Sequence, residues 1–138
     1  MTRDLAINKF LAENNISSRD RLFECVFNHS SVGQAIALSS GKMCLNRAFC
    51  DWLGFPEEEI RDKSWKDLVC PEDVEPFQKT VERLFSGEID SDISIRRFIR
   101  KDGTILWGKA HVSHCRNVPE SGDILVTTVA DITSDVNK

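Results

Sequence analysis

Residues 96–107 read RRFIRKDGTILW. Two runs with strand character meet there at Lys101-Asp102-Gly103. Asp can bond the backbone two residues on, and Gly takes a positive φ without penalty, so this tripeptide predicts a tight hairpin turn. Working outward, one strand runs from Ile93 to Arg100 and a long one from Thr104 to Cys115. A loop holding Pro119 and Gly122 follows, and then a last strand from Ile124 to Ile132.

Upstream of the hairpin the apolar period changes from two to that of a helix. Pro71 and Pro76 introduce the longest helix, with Val74, Phe77, Val81, Leu84 and Phe85 on one side and Gly87 as its stop. Glu57–Ile60 and Trp65–Val69 read as single turns. Asn46 can cap a short helix carrying Phe49, Trp52 and Leu53, which Gly54 ends and Pro56 keeps from resuming. Ala35–Leu38 and Met43–Leu45, around Ser39-Ser40-Gly41-Lys42, form a second hairpin. Two helices come before it. The first spans Asp4–Asn15, with Ile7, Phe10 and Leu11 at helical spacing. The second opens at a capping box, Ser17-x-x-Asp20, and bears a stripe of Leu22, Phe23, Val26 and Phe27. The two hairpins predict one antiparallel sheet with the helical middle on one face, an α+β architecture.

Alternation in the last three strands is poor. Ile93, Ile95 and Ile99 point one way and Phe98 the other; Ile105 and Trp107 oppose Leu106 and Val112; Ile124, Val126 and Ile132 oppose Leu125 and Val129. A sheet with one wet face alternates cleanly. Both faces therefore read as covered, the second by the N-terminal helices or by another copy of the chain, which predicts a homodimer.

Composition excludes several classes. At 138 residues the chain is one domain rather than two. A net charge of -4 argues against nucleic acid as partner, and the basic group Arg96, Arg97, Arg100 and Lys101 reads as a solvated strand end. No apolar run approaches the ~20 residues of a membrane span. The five cysteines are odd in number and form no CxxC pair, which suggests reduced thiols in a cytoplasmic chain without a metal site. No nucleophile elbow, Gly-rich phosphate loop or HExxH is present, so the chain reads as non-enzymatic.

From Leu22 to Thr133 the chain resembles a PAS domain with its C-terminal PAC motif. The resemblance rests on SSVGQAIALSSGKMCLNRAF, DWLGFPEEEIRDKSWKDLVCPED, RRFIRKDGTILW and VADIT, in that order and spacing. It implies a five-stranded antiparallel sheet of order 2-1-5-4-3, helices on one face, and a pocket between helices and sheet. It also implies a division into an N-terminal helical extension (1–21), a sensory domain (22–133) and the start of a linker (134–138) to an output domain. Asp131, Ile132 and Thr133 are then the junction through which a signal leaves the sheet. Phe49, Trp52, Trp65, Phe77 and Val81 are the pocket residues expected from their apolar character and place near the helix–sheet interface.

The chemistries that PAS domains host can be tested against these residues. Haem is disfavoured because no histidine lies between Pro71 and Ser86, and flavin photochemistry because Trp65–Cys70 lacks the Asn-Cys-Arg-Phe motif. No cofactor is expected by default. Cys70 lies near the chromophore-bearing position of photoactive yellow proteins, but the chain has no tyrosine to hold such a chromophore. As a redox thiol, Cys70 would have its pKa lowered by the following helix start. The favoured expectation is a sensory module of a sensor histidine kinase or diguanylate cyclase that binds a small molecule or senses redox state. The alternatives are a ligand-free dimerisation and relay domain, and a thiol- or cofactor-based protein centred on Cys70.

Overall fold

The computed structural model describes residues 5–120 and 122–136. Asp4, where the sequence starts the first helix, and the last two linker residues lie outside them. At the hairpin, Gly103 takes φ 90° and Asp102 Oδ1 accepts bonds from the Thr104 amide (2.9 Å) and hydroxyl (2.7 Å). That turn sets the register of β3 (Ser91–Ile99) and β4 (Ile105–Val118), in which Ile99 pairs with Ile105 and Ser91 with Ser113. β4 continues past Cys115 through an irregularity to Val118 before β5 (Gly122–Asp131) returns along it. β5 then pairs with β1 (Gly33–Leu38), and β1 with β2 (Met43–Leu45). The sheet is antiparallel, in the order β2-β1-β5-β4-β3.

The helices among the described residues are α1 (Leu5–Glu13), α2 (Arg19–His29), α3 (Arg47–Leu53), α4 (Glu57–Ile60), α5 (Pro71–Ser86) and α6 (Thr133–Val136), with a 3-10 turn at Trp65–Asp67. The cap of α2 is Ser18, which accepts from the Arg21 amide, rather than Ser17. Pro71 opens α5, whereas Pro76 lies inside it and removes one amide donor from the helix ladder. Asn46, fully buried, joins α2, β1 and α3. Its Oδ1 accepts from the Phe49 and Gln34 amides and its Nδ2 donates to the carbonyls of Phe27 and Val32, at 2.9–3.0 Å. Removing that side chain would strand the Phe49 and Gln34 amides and the Phe27 carbonyl at once.

Register gives the sheet two distinct faces. Phe98, Arg96, Leu106, Gly108, Ala110, Val112, Leu125 and Val129 share the face turned to the helices. Ile93, Ile95 and Ile105 share the other, and they are exposed (61, 55 and 42%). The N-terminal helices therefore do not cover this face: α2 packs on α3 instead. Phe27 is buried there, while Phe23 and Val26 of the expected apolar stripe stay exposed.

Candidate ligand cavity and junction

The core falls into two clusters. One gathers Leu45, Phe49, Leu53, Ile60, Leu68, Phe98 and Val129; the other gathers Leu84, Val112 and Leu125, with Phe77, Val81 and Phe85 packed against it. Between them, under α5, lies a cavity of about 660 Å³, within the size range of small-molecule sites. Its inner walls are Ala35, Ala37, Leu45, Phe49, Val112 and Leu125, and exposed Ser39, Ser40, Lys66 and Glu82 mark its open side.

Four of the five expected pocket residues meet at this cavity: Phe49, Trp65, Phe77 and Val81. Trp65 packs edge-on against Phe77, with ring centroids 4.7 Å apart. Trp52 does not line it. Three residues along α3 from Phe49, its ring is turned onto the sheet, edge-on to Phe98 at 5.3 Å and close over Gly108. A Cβ at Gly108 would meet Val129 at 2.6 Å, Phe98 at 2.9 Å and Trp52 at 3.1 Å, so the residue must be glycine for the three to pack. Trp52 instead borders a smaller hollow with Gly33, Val129 and Asp131.

One residue of the cavity wall comes from the supposed solvated strand end. Arg96 is 8% exposed and turned inward, because it shares strand parity with Phe98. Its guanidinium lies 4.0 Å from the centroid of the Phe77 ring, and the nearest carboxylate oxygen, of Asp92, is 3.9 Å away. Burial pushes the guanidinium below its ordinary pKa, and Asp92 and Asp73 pull it back up. Of the rest of the basic group, Lys101 is exposed and Arg97 and Arg100 are half-buried. Lys101 pairs with Glu59 at 2.7 Å, and Arg97 binds Asp73 through its side chain (2.8 and 3.2 Å) and its amide (3.0 Å). The Arg97 bonds hold the Asp73 carboxyl below its usual range.

Cys70 is corrected in the other direction. It is buried at the cap of α5, its amide donating to the Arg97 carbonyl, and desolvation pushes its thiol up despite the nearby Arg97 charge. The expected lowering of its pKa does not occur, because the cost of burying a thiolate, with the Asp73 and Glu72 charges beside it, exceeds what Arg97 returns. Among the histidines, His114 is not a surface residue: its side chain is 1% exposed and its Nε2 is 3.0 Å from Asp123. No cluster of three metal-binding side chains occurs among the described residues.

Two of the three junction residues, Ile132 and Thr133, are bonded to one residue of β4, Trp107, which the sequence reading left without a role, while Asp131 pairs with Gly108. The Ile132 amide donates to the Trp107 carbonyl (2.9 Å), and the Trp107 amide donates to Thr133 Oγ1 (2.9 Å). Asp131 Oδ1 accepts from the Thr133 amide at 2.9 Å and so folds the chain into α6. Burial pushes the Asp131 carboxyl up, but its hydrogen bonding with Thr133 and the proximity of the Trp52 indole outweigh that and bring it below the ordinary value. Arg97 lies over the Trp107 ring at 5.9 Å. β5 thus connects the cavity wall, at Leu125 and Thr127, directly to the junction.

A five-stranded sheet in this order, with helices over one face and a cavity beneath the longest, defines an α+β sensory-domain architecture. Residues 42–125 match the PAS fold family, and the chain belongs to it. Among the solved structures that share the fold are the following two. The PAS domain of an HTR-like protein from Haloarcula marismortui is 22% identical with a TM-score of 0.69, covering 92% of this chain and 98% of that one. A PAS domain from Colwellia psychrerythraea is 16% identical with a TM-score of 0.72, covering 83% and 97%. The probable diguanylate cyclase DgcE of Escherichia coli (strain K12) is 30% identical over 125 residues, which are 89% of this chain and 11% of that protein. The chain therefore spans only a small part of that curated relative. Among the described residues, no helix is long and apolar enough to cross a membrane.

Proposed function

We propose that the chain is the signal-sensing PAS module of a larger signal-transduction protein, of the diguanylate cyclase or sensor histidine kinase kind. In this reading the cavity takes a small molecule, and occupancy is relayed through Asp131–Thr133 to an output domain in the cytoplasm. The module itself is non-catalytic, with residues 1–21 as a helical extension, 22–133 as the sensing unit and 134–138 as the start of the linker. The observation that carries this reading is continuity: β5 supplies two cavity residues and, a few residues on, the bonded junction. A ligand shifts such a domain only if it binds its two states unequally, and a wall shared with the junction provides that difference.

An amide-resolved NMR screen of small acids, amines and neutral compounds tests it. The expected result is a binder that shifts Leu125 and Thr127 together with Ile132 and Thr133. Binders that leave the junction unmoved would contradict the relay, and a screen without binders would contradict the cavity's role.

The exposed Ile93, Ile95 and Ile105 favour a second reading, a homodimer formed through the outer sheet face, with or without a ligand. Sedimentation of wild type and Ile95→Asp tests it: a dimer that the aspartate dissociates supports it, and a wild-type monomer refutes it. The redox role of Cys70 fares worse, because a buried thiol of raised pKa is a poor nucleophile.

A further inference from the structure

Arg96 is placed where an arginine is hard to explain as packing. Its side chain is 10% exposed, it lines the cavity, and its Nε has no hydrogen-bond partner among the described residues. Guanidinium carries five N–H donors and stays charged in proteins, so a buried one calls for acceptors. Stacking on Phe77 satisfies the face of the ion but leaves its N–H edge free. The acidic groups that face it are Asp92 and, more remotely, Asp73. Asp92 stands 3.9 Å away, too far for a hydrogen bond, and its own Oδ2 is likewise buried without a partner. The inner wall around it is mainly apolar, with Ala35, Leu45, Phe49, Val112 and Leu125 beside Thr127, while Lys66, Gln78 and Glu82 lie towards the open side. The cavity thus offers one buried cationic fork at the edge of a largely hydrocarbon-lined space.

We infer that the cavity selects an organic carboxylate, whose anionic head bonds to Arg96 and whose apolar body fills the space between α5 and the sheet. This rests on the small-molecule reading above and names the class of molecule. Planar, bidentate pairing of guanidinium with carboxylate supplies the missing acceptors, and a neutral head of the same shape supplies them less well. Asp92 competes with the ligand for Arg96, so it sets the affinity from the protein side.

Octanoate and octanamide, matched in shape and differing in charge, are the probes, with binding to the 138-residue chain followed by calorimetry. Octanoate should bind at least tenfold more tightly. Arg96→Met should bring the two within about twofold while the circular dichroism spectrum is retained. Asp92→Asn, which leaves Arg96 in place, should raise the preference for octanoate severalfold and gives the answer even if Arg96→Met does not fold. Octanamide binding as tightly as octanoate would overturn the carboxylate assignment and leave a small-molecule site standing. A preference that survives Arg96→Met, or one that Asp92→Asn does not strengthen, would overturn the role of Arg96. Failure of both probes to bind would overturn the assignment together with the reading beneath it.

Discussion

The inner face of the sheet has two halves that treat space in opposite ways. Towards the β4–β5 ends nearest the junction, Trp52, Phe98 and Val129 close so tightly on Gly108 that no Cβ fits. Under α5, the same strands leave about 660 Å³ unfilled between two core clusters. Protein interiors otherwise pack densely, and a void forfeits contact energy. In the proposed reading the open half takes the ligand, and the tightly packed residues around Gly108 pass a change there to Asp131–Thr133.

Mutations should break the comparison in a graded order. The largest effect belongs to Phe98→Ala, which removes the ring touching both Phe49 and Trp52; a loss of about 3–5 kcal/mol is expected by denaturant unfolding. Next comes Gly108→Ala, in which one added methyl group meets stiff neighbours and costs about 1–3 kcal/mol. The contrasting substitution is Ala37→Leu in the cavity wall. It adds three carbons yet should change stability by less than about 1 kcal/mol, because the space already exists. If Ala37→Leu costs more than Gly108→Ala, the two halves do not differ as described.

A smaller effect sharpens the border between helix and sheet. The Asp73 carboxyl is held below its ordinary pKa by Arg97. A depressed pKa means the pair contributes fully above the ordinary carboxylate range, near 4, and loses its contribution as pH falls through the folded-state value. The stability gap between wild type and Asp73→Asn should therefore be constant near neutrality and shrink in acid. A gap that grows on acidification would reverse the assignment.

The sequence carried the fold because its punctuation is local. Asp102-Gly103 fixes a register, Asn46 and Gly54 bracket α3, and Pro71 starts α5; each of these turn and cap roles is met within a few residues of chain, although Asn46 also ties α3 to Phe27, Val32 and Gln34. The site was less legible because it depends on which way a side chain turns. Arg96 looked like one of four surface cations, although strand parity with inward Phe98 was the signal that separates it from Arg97. Trp52 looked interchangeable with Phe49 as an aromatic of α3, but three residues of helix turn it to the closed half. Cys70 was read from helix-end electrostatics, and burial outweighed them. The role of Trp107 lies in its backbone groups, which no side-chain pattern reveals.

The most direct test of coupling between cavity and junction needs no ligand. Amide hydrogen exchange at Trp107 and Ile132, whose N–H groups hold the junction to β4, should be compared in wild type and Ala37→Leu. Filling the cavity from within should change the protection of both amides about tenfold. Identical protection at Trp107 and Ile132 in the two proteins would contradict the account.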